Sequence, residues 1–247
     1  MLYYQPMNIG NKKIIFLDTE TTGNEGKDYL CQLAYKTGDE VFSELFKPPL
    51  PIAIEASAVC HITNKMVADK PAFRESVQYA PVKKLLETNT SILVAHNAKF
   101  DLGMLAKEGI VPTQVICTMR IARYLDTENV IPKYNLQYLR YYLGMEIEAT
   151  AHDALGDVLI LEELFKRLFT KMREAYDSDE ATLTAMIEVS ARPSFIPIFT
   201  FGKYIGQKVS NVAKTDIGYL EWMYSEKKKS DRDEEDWLYT LEQYLKK

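Results

Sequence analysis

The run Ile14-Ile15-Phe16-Leu17 stops abruptly at Asp18-Thr19-Glu20-Thr21-Thr22-Gly23. Four consecutive apolar residues read as a strand buried on both faces. Side chains alternate along a strand, so Asp18 and Glu20 project to the same side. Two carboxylates that close repel unless something positive sits between them. Taken alone, the pair reads as a solvated strand end; partner motifs elsewhere in the chain turn it into a place that receives a cation.

The bulk composition limits what surrounds that strand. With 247 residues, the chain is long enough for one large domain, or one domain and a small appendage. Apolar residues make up 47% and charged residues 26%, as in soluble globular proteins. Cys31, Cys60 and Cys117 lie far apart with no C-x-x-C pair. They read as reduced thiols in a cytoplasmic protein. No signal-peptide core is visible near Met1, and no apolar run approaches the roughly 20 residues of a membrane span. The net charge of −5 argues against a broad basic nucleic-acid surface. It leaves open an enzyme that meets phosphates through metal ions.

Strand patterns cover 13–18, 30–36 and 40–46, the last two joined by a hairpin signal at Thr37-Gly38-Asp39. The Pro-rich stretch 47–55 reads as an extended loop. A helix is expected from Phe73 to Glu87, and a second buried strand over 91–96. A helix follows, with Asn97 as its N-cap and Gly109 as its C-cap. Residues 114–125 read as a strand running into a helix, and 135–144 as a helix closed by Gly144. In 151–174, Ala154, Val158, Leu161, Phe165 and Leu168 recur at helical spacing. Strands first, then alternating strands and helices, predict an α/β fold with a mixed sheet flanked by helices. The pattern predicts a main domain over 1–175, a linker over 176–197 that reads as a short helix and then a Pro-bounded loop, and a small C-terminal module over 198–247.

Three more positions bear on the opening strand. Asp101 lies in the first helical turn after a buried strand. His152 and Asp157 flank the start of the longest helix. Five residues of helix turn through about 500°, so those two share a site only if His152 precedes the helix, with Asp153 as its cap. Asp18, Glu20, Asp101 and Asp157 are then four carboxylates at strand ends or helix starts, where α/β sheets gather their sites. A purely oxygen ligand set of this charge suits Mg²⁺ or Mn²⁺. Two such ions about 3.5–4 Å apart stabilise an in-line phosphodiester displacement. His152 is placed to take a proton from the attacking water.

As a set, "DTETTG" (18–23), "HNAKFD" (96–101) and the H-x-A-x-x-D of His152, Ala154 and Asp157 resemble the motifs of the DEDDh 3′–5′ exonucleases. "ASAVCHITNKMVADKPAF", "VICTMRIAR", "KYNLQYL" and "RPSFIPIFTFGKYIGQKVSNVAKTDIGYLEW" narrow the likeness to exodeoxyribonuclease X and its relatives. The resemblance implies an RNase H-like fold and a 3′–5′ exodeoxyribonuclease of DNA repair or recombination that releases nucleoside 5′-monophosphates. It implies that Asp18, Glu20, Asp101 and Asp157 hold two Mg²⁺, replaceable by Mn²⁺, and that His152 is the general base. It implies that Thr21, Thr22, His61 and Ile62 line the terminal-nucleotide pocket. Asn97 either bonds near the phosphate or caps its own helix. Family members often carry an apolar wedge after the "DTETTG" motif. Here Asn24 and Glu25 stand in its place, so DNA 3′ ends that are single-stranded or frayed are the expected substrate.

Other residues read more simply. His96 is expected to bond backbone at a strand end, and the Tyr-rich 133–144 to be core and helix surface. Residues 198–229 hold six lysines and three acids. They read either as a phosphate clamp or as a packing appendage with solvated lysines. Rival functions are an exoribonuclease of the same superfamily, a polymerase proofreading subunit, and a non-catalytic nucleic-acid-binding module. All five catalytic positions are filled, which opposes the last.

Overall fold

The computed structural model describes residues 8–23, 26–148, 153–230 and 234–245. They fall into two compact units, residues 1–125 with 131–191, and residues 126–130 with 192–247.

The first unit is built on one sheet. Its strands are β1 (Asn8–Ile9), β2 (Lys12–Thr21), β3 (Leu30–Thr37), β4 (Glu40–Leu45), β5 (Ser91–Ala95) and β6 (Val115–Cys117). The order is β4-β3-β2-β5-β6, with β1 paired to the start of β2. β2 runs antiparallel to β3 and parallel to β5, so the sheet is mixed as expected. Along β2, Ile14 and Phe16 face one core cluster and Ile15 and Leu17 the other. That alternation carries Asp18 and Glu20 onto the side of Ile14 and Phe16.

Helices α1 (Ile54–Cys60), α2 (Asn64–Val67), α3 (Tyr79–Glu87), α4 (Lys99–Lys107), α5 (Thr118–Leu125), α6 (Leu136–Tyr142), α7 (Ala154–Arg173) and α8 (Asp179–Ser190) complete this unit. α7 lies on the Phe16 face, where Val158, Leu161 and Phe165 are buried and Phe165 meets Phe16 edge-on at 5.4 Å. α3 and α4 cover the other face through Leu86, Met104 and Leu105. Lys36 of β3 pairs with the buried Glu162 of α7, which Lys166 also meets at 2.9 Å. Two cations thus satisfy one carboxylate and tie α7 to the sheet.

Several expectations change. The helix expected over Phe73–Glu87 is split into a 3₁₀ turn, Phe73–Glu75, and α3. The Ser76 hydroxyl donates to Phe73 O at 2.7 Å, a local bond that competes with helix continuation. Helix α1 starts inside the expected loop, at Ile54, beyond the last proline. The short helix expected within 176–197 forms as α8, and its Leu183 and Met186 pack into the first unit's core instead of linking two units.

The second unit carries α9 (Val209–Thr215), α10 (Ile217–Lys229) and α11 (Glu235–Leu245). Phe199, Val209, Val212, Leu220, Met223, Trp237 and Leu241 form its core, with Phe199 stacked on Trp237 at 5.5 Å. An antiparallel bridge between Ile198 and Lys208 closes the "FGKYIGQ" turn. Gly202 and Gly206 both have positive φ. A Cβ on Gly202 would lie 2.7 Å from the Tyr219 hydroxyl.

Candidate active site

β2 and β5 pair only as far as Phe16 and Val94. Past that point the two strands separate, and α4 and α7 begin beside the opening. Asp18, Glu20 and Asp157 each place a carboxylate oxygen within 4.8 Å of the others. Asp157 lies in the first turn of α7, capped by the Asp153 carboxylate, which accepts from Gly156 N. Asp101, in the first turn of α4, is 3% exposed and accepts from both the backbone N–H and the hydroxyl of Thr19, at 3.1 and 2.8 Å.

The electrostatics match this crowding. Burial raises Asp18 well above the usual carboxylate range, and the charges acting on it are Asp101, Glu20, Asp157 and Asp153. Burial and the nearby Asp157, Asp101 and Asp153 push Glu20 up to about 8. Burial lifts Asp101 to about 7 against the bonds from Thr19. Carboxylates held this way favour a proton or a cation. The donors are all hard oxygens, which fits a Mg²⁺-type ion.

The structure also places the other expected residues. His152 and Asn24 lie outside the described residues. Thr21 is buried and its hydroxyl bonds Gly23 O at 2.5 Å. Thr22 is 1% exposed, its hydroxyl given to Asp28 at 2.8 Å while accepting from Tyr29 N. That side chain closes its own loop rather than lining a pocket. A Cβ on Gly23 would sit 2.6 Å from the Asp28 carboxylate and would displace it from the Thr22 hydroxyl. Ile62 is likewise core: it is 3% exposed and packs with Cys31, Ile52, Cys60 and Val67. The preceding His61 is exposed, with φ 60° at the end of α1. Glu20 acts on the buried thiols of both Cys31 and Cys60, so the end of α1 lies beside the carboxylates. Asn97 is exposed at φ 60° and does not cap α4, because a cap needs an extended backbone. His96 is structural, with Nε2 2.6 Å from Tyr134 O and Nδ1 2.9 Å from the Thr118 hydroxyl. Burial lowers it to about 4, so it is neutral.

Three contributors had not been singled out. Thr19 holds Asp101. Gln32, opposite Glu20 in the β2–β3 register, reaches Asp153 at 3.4 Å and docks the start of α7. Gln137 of α6 donates to Asp157 at 2.5 Å. Gln32 alone left a signal, a polar residue inside the otherwise apolar "LCQLAY".

Residues 15–165 match the exonuclease family.

The chain belongs to the exonuclease family.

Residues 199–228 of this exonuclease match a second family, the exodeoxyribonuclease X-like C-terminal domain. The chain is 32% identical to exodeoxyribonuclease 10 of Escherichia coli K12, across 85% of this chain and 89% of that protein. It is 32% identical to DNA polymerase III subunit epsilon of Treponema pallidum, across 60% of this chain and 72% of that one. A solved structure of exonuclease X in complex with 5′ overhanging duplex DNA superposes with a TM-score of 0.56 at 27% identity, covering 72% of this chain and 99% of that one. The mixed sheet flanked by helices is the RNase H-like arrangement of such exonucleases.

Proposed function

We infer that this exonuclease is a divalent-metal-dependent 3′–5′ exodeoxyribonuclease that removes nucleoside 5′-monophosphates from DNA. The observation that carries the reading is the convergence of Asp18, Glu20 and Asp157 within 4.8 Å, with Asp101 acting on Asp18 beside them. The donor set fits the divalent ions of this chemistry. Asp18, Glu20, Asp101 and Asp157 hold them, most simply as two Mg²⁺ with Mn²⁺ as substitute. Bound there, the ions stabilise charge on the attacking and leaving oxygens of the displacement. His152 accepts the proton of the attacking water. Thr19 and Gln137 fix Asp101 and Asp157, so the carboxylates are oriented before substrate arrives. His61, Asn97 and the backbone around Thr21 face the terminal nucleotide.

Similarity to exodeoxyribonuclease 10 over most of both chains supports DNA over RNA as substrate. The C-terminal match favours a repair-type enzyme over a proofreading subunit. The polar Asn24 at the usual wedge position supports a preference for single-stranded or frayed 3′ ends. Cys31, Cys60 and Cys117 are free thiols, which supports a cytoplasmic location; among the described residues no helix is long and apolar enough to cross a membrane.

The deciding experiment offers 5′-labelled DNA and RNA, single- and double-stranded, with Mg²⁺, Mn²⁺ or EDTA. The expected result is stepwise shortening of DNA from its 3′ end, fastest on single strands and absent in EDTA. Intact 3′ ends in both metals would sink the reading.

A further inference from the structure

On the first unit, α6 and the residues before it line an open surface groove of about 380 Å³, formed by Lys133, Asn135, Gln137, Tyr138, Tyr141 and Tyr142. The volume lies in the range of small-ligand sites. Tyr134 packs against the core and Tyr141 and Tyr142 lie on the helix surface, as the sequence predicts. Tyr141 is 74% and Tyr142 46% exposed, and Tyr142 stacks on Tyr138 at 5.9 Å.

Two features connect this groove to the carboxylates. Gln137 lines it and also donates to Asp157 at 2.5 Å. One side chain therefore borders both sites. The buried Arg140 braces the wall from behind. Its guanidinium reaches Gln137 Oε1 at 3.4 Å and Ile147 O, and lies 5.3 Å from the Tyr141 ring centre. Arg140 thereby fixes Gln137 and one face of Tyr141, while the outer faces of Tyr141 and Tyr142 stay open to a ligand.

The lining contains no acid, in contrast to the neighbouring carboxylate cluster. Lys133 is exposed and has no carboxylate partner among the described residues. Amide groups, ring faces and one cation match the three parts of a nucleotide. Amides bond sugar or base edges, rings stack bases regardless of sequence, and a lysine meets a phosphate. A nuclease that removes residues of any sequence needs that tolerance.

We propose that this tyrosine-lined groove binds the nucleotide on the 5′ side of the scissile phosphate, with its base against Tyr141 and Tyr142 and its phosphate at Lys133. This rests on the exonuclease reading above. The groove holds the strand that stays behind, while the carboxylate cluster holds the nucleotide that leaves.

The test compares two substrates in Mn²⁺ with the full chain. One is a single-stranded oligonucleotide. The other is thymidine 5′-p-nitrophenyl phosphate, in which p-nitrophenol replaces the upstream strand. The readout is the ratio of kcat/KM on the oligonucleotide to that on the ester. The joint substitution Tyr141→Ala and Tyr142→Ala is expected to lower this ratio about tenfold or more. Tyr141→Phe with Tyr142→Phe keeps the rings and is expected to restore it. Lys133→Gln is expected to lower the ratio and reduce its salt slope by about one charge. An unchanged ratio in the alanine variant overturns the proposal. So does a change confined to inhibition by thymidine 5′-monophosphate, which would make the groove a product site. If wild type hydrolyses both substrates and the alanine variant keeps the wild-type ratio, only the subsite falls. A wild-type protein inert on both sinks the exonuclease reading and the subsite with it.

Discussion

Asp18 and Asp216 are both aspartates at the margin of a helix-bearing unit, yet their surroundings are opposite. Asp216 starts α10 and accepts from Tyr219 N at 3.2 Å, the Tyr204 hydroxyl at 2.5 Å and Lys203 Nζ at 3.1 Å. Those donors hold its carboxyl below the usual range. Burial first, and then four other carboxylates, raise Asp18 well above that range. Asp216 helps to build its unit. Asp18 costs its unit stability and leaves a charge deficit that something from outside the chain must fill. The difference teaches where to look for function: at charge the fold concentrates without balancing.

The comparison breaks first on activity. Asp18→Ala with Glu20→Ala should lower the rate of 3′-end removal at least about 10³-fold. The same change should raise the melting temperature of metal-free protein, because repulsion is removed. Asp216→Ala should do the reverse, leaving most activity and lowering the thermal midpoint through loss of a helix cap. A stabilising Asp216→Ala, or a destabilising Asp18→Ala, would mean that the two sites had been read the wrong way round.

His152→Ala should slow the reaction by roughly 10²–10⁴-fold while metal binding, followed by calorimetry, is largely kept. Its pH–rate profile should lose the limb due to the base. A variant as fast as wild type across pH 6–9 would end the general-base assignment.

The third prediction concerns pH. Glu20, at about 8, and Asp101, at about 7, hold protons in the folded state that the unfolded chain has released. Where the folded state binds more protons, stability falls as pH rises. Metal-free protein should therefore lose stability progressively between about pH 5 and 8. Added Mg²⁺ competes with those protons, so its stabilising effect should grow over the same interval. Thermal melts with and without Mg²⁺ at several pH values measure this. A Mg²⁺ effect that is flat or shrinks with rising pH would contradict it.

The smallest effect tests the C-terminal lysines. Lys203, Lys227 and Lys229 are paired with Asp216, Glu234 and Glu226. Lys208 and Lys214 have no carboxylate partner among the described residues. If the module contacts phosphate, Lys208→Ala and Lys214→Ala should each reduce the salt slope of DNA binding by about one. The same change at Lys229 should leave the slope in place. Equal slopes in every variant would favour the packing role.

Much of this architecture is legible in residue order. The alternation along Ile14–Leu17 assigns two faces to β2, and the helical spacing from Ala154 to Leu168 marks α7. What stayed hidden is of one kind. α11 begins at the end of the charged stretch 227–236, and its helical state depends on burying Trp237 and Leu241 against Phe199 and Leu220. Thr22 and Ile62 were assigned to the substrate from motif position, and burial turned both into structural residues. Gln137 lies 20 residues from the carboxylate it bonds, and no local pattern announces such a contact.

The order of residues alone therefore determined that a core strand ends in paired acids, that two further acids start helices, and that their combined charge calls for divalent ions. Periodicity and charge are local properties, readable within a few turns of chain. Only the tertiary structure decided which oxygens meet within 4.8 Å, which threonine holds Asp101, and that a tyrosine-lined groove opens beside Asp157. Those outcomes depend on packing between segments tens of residues apart, where the energy of each contact is set by partners the local sequence does not name.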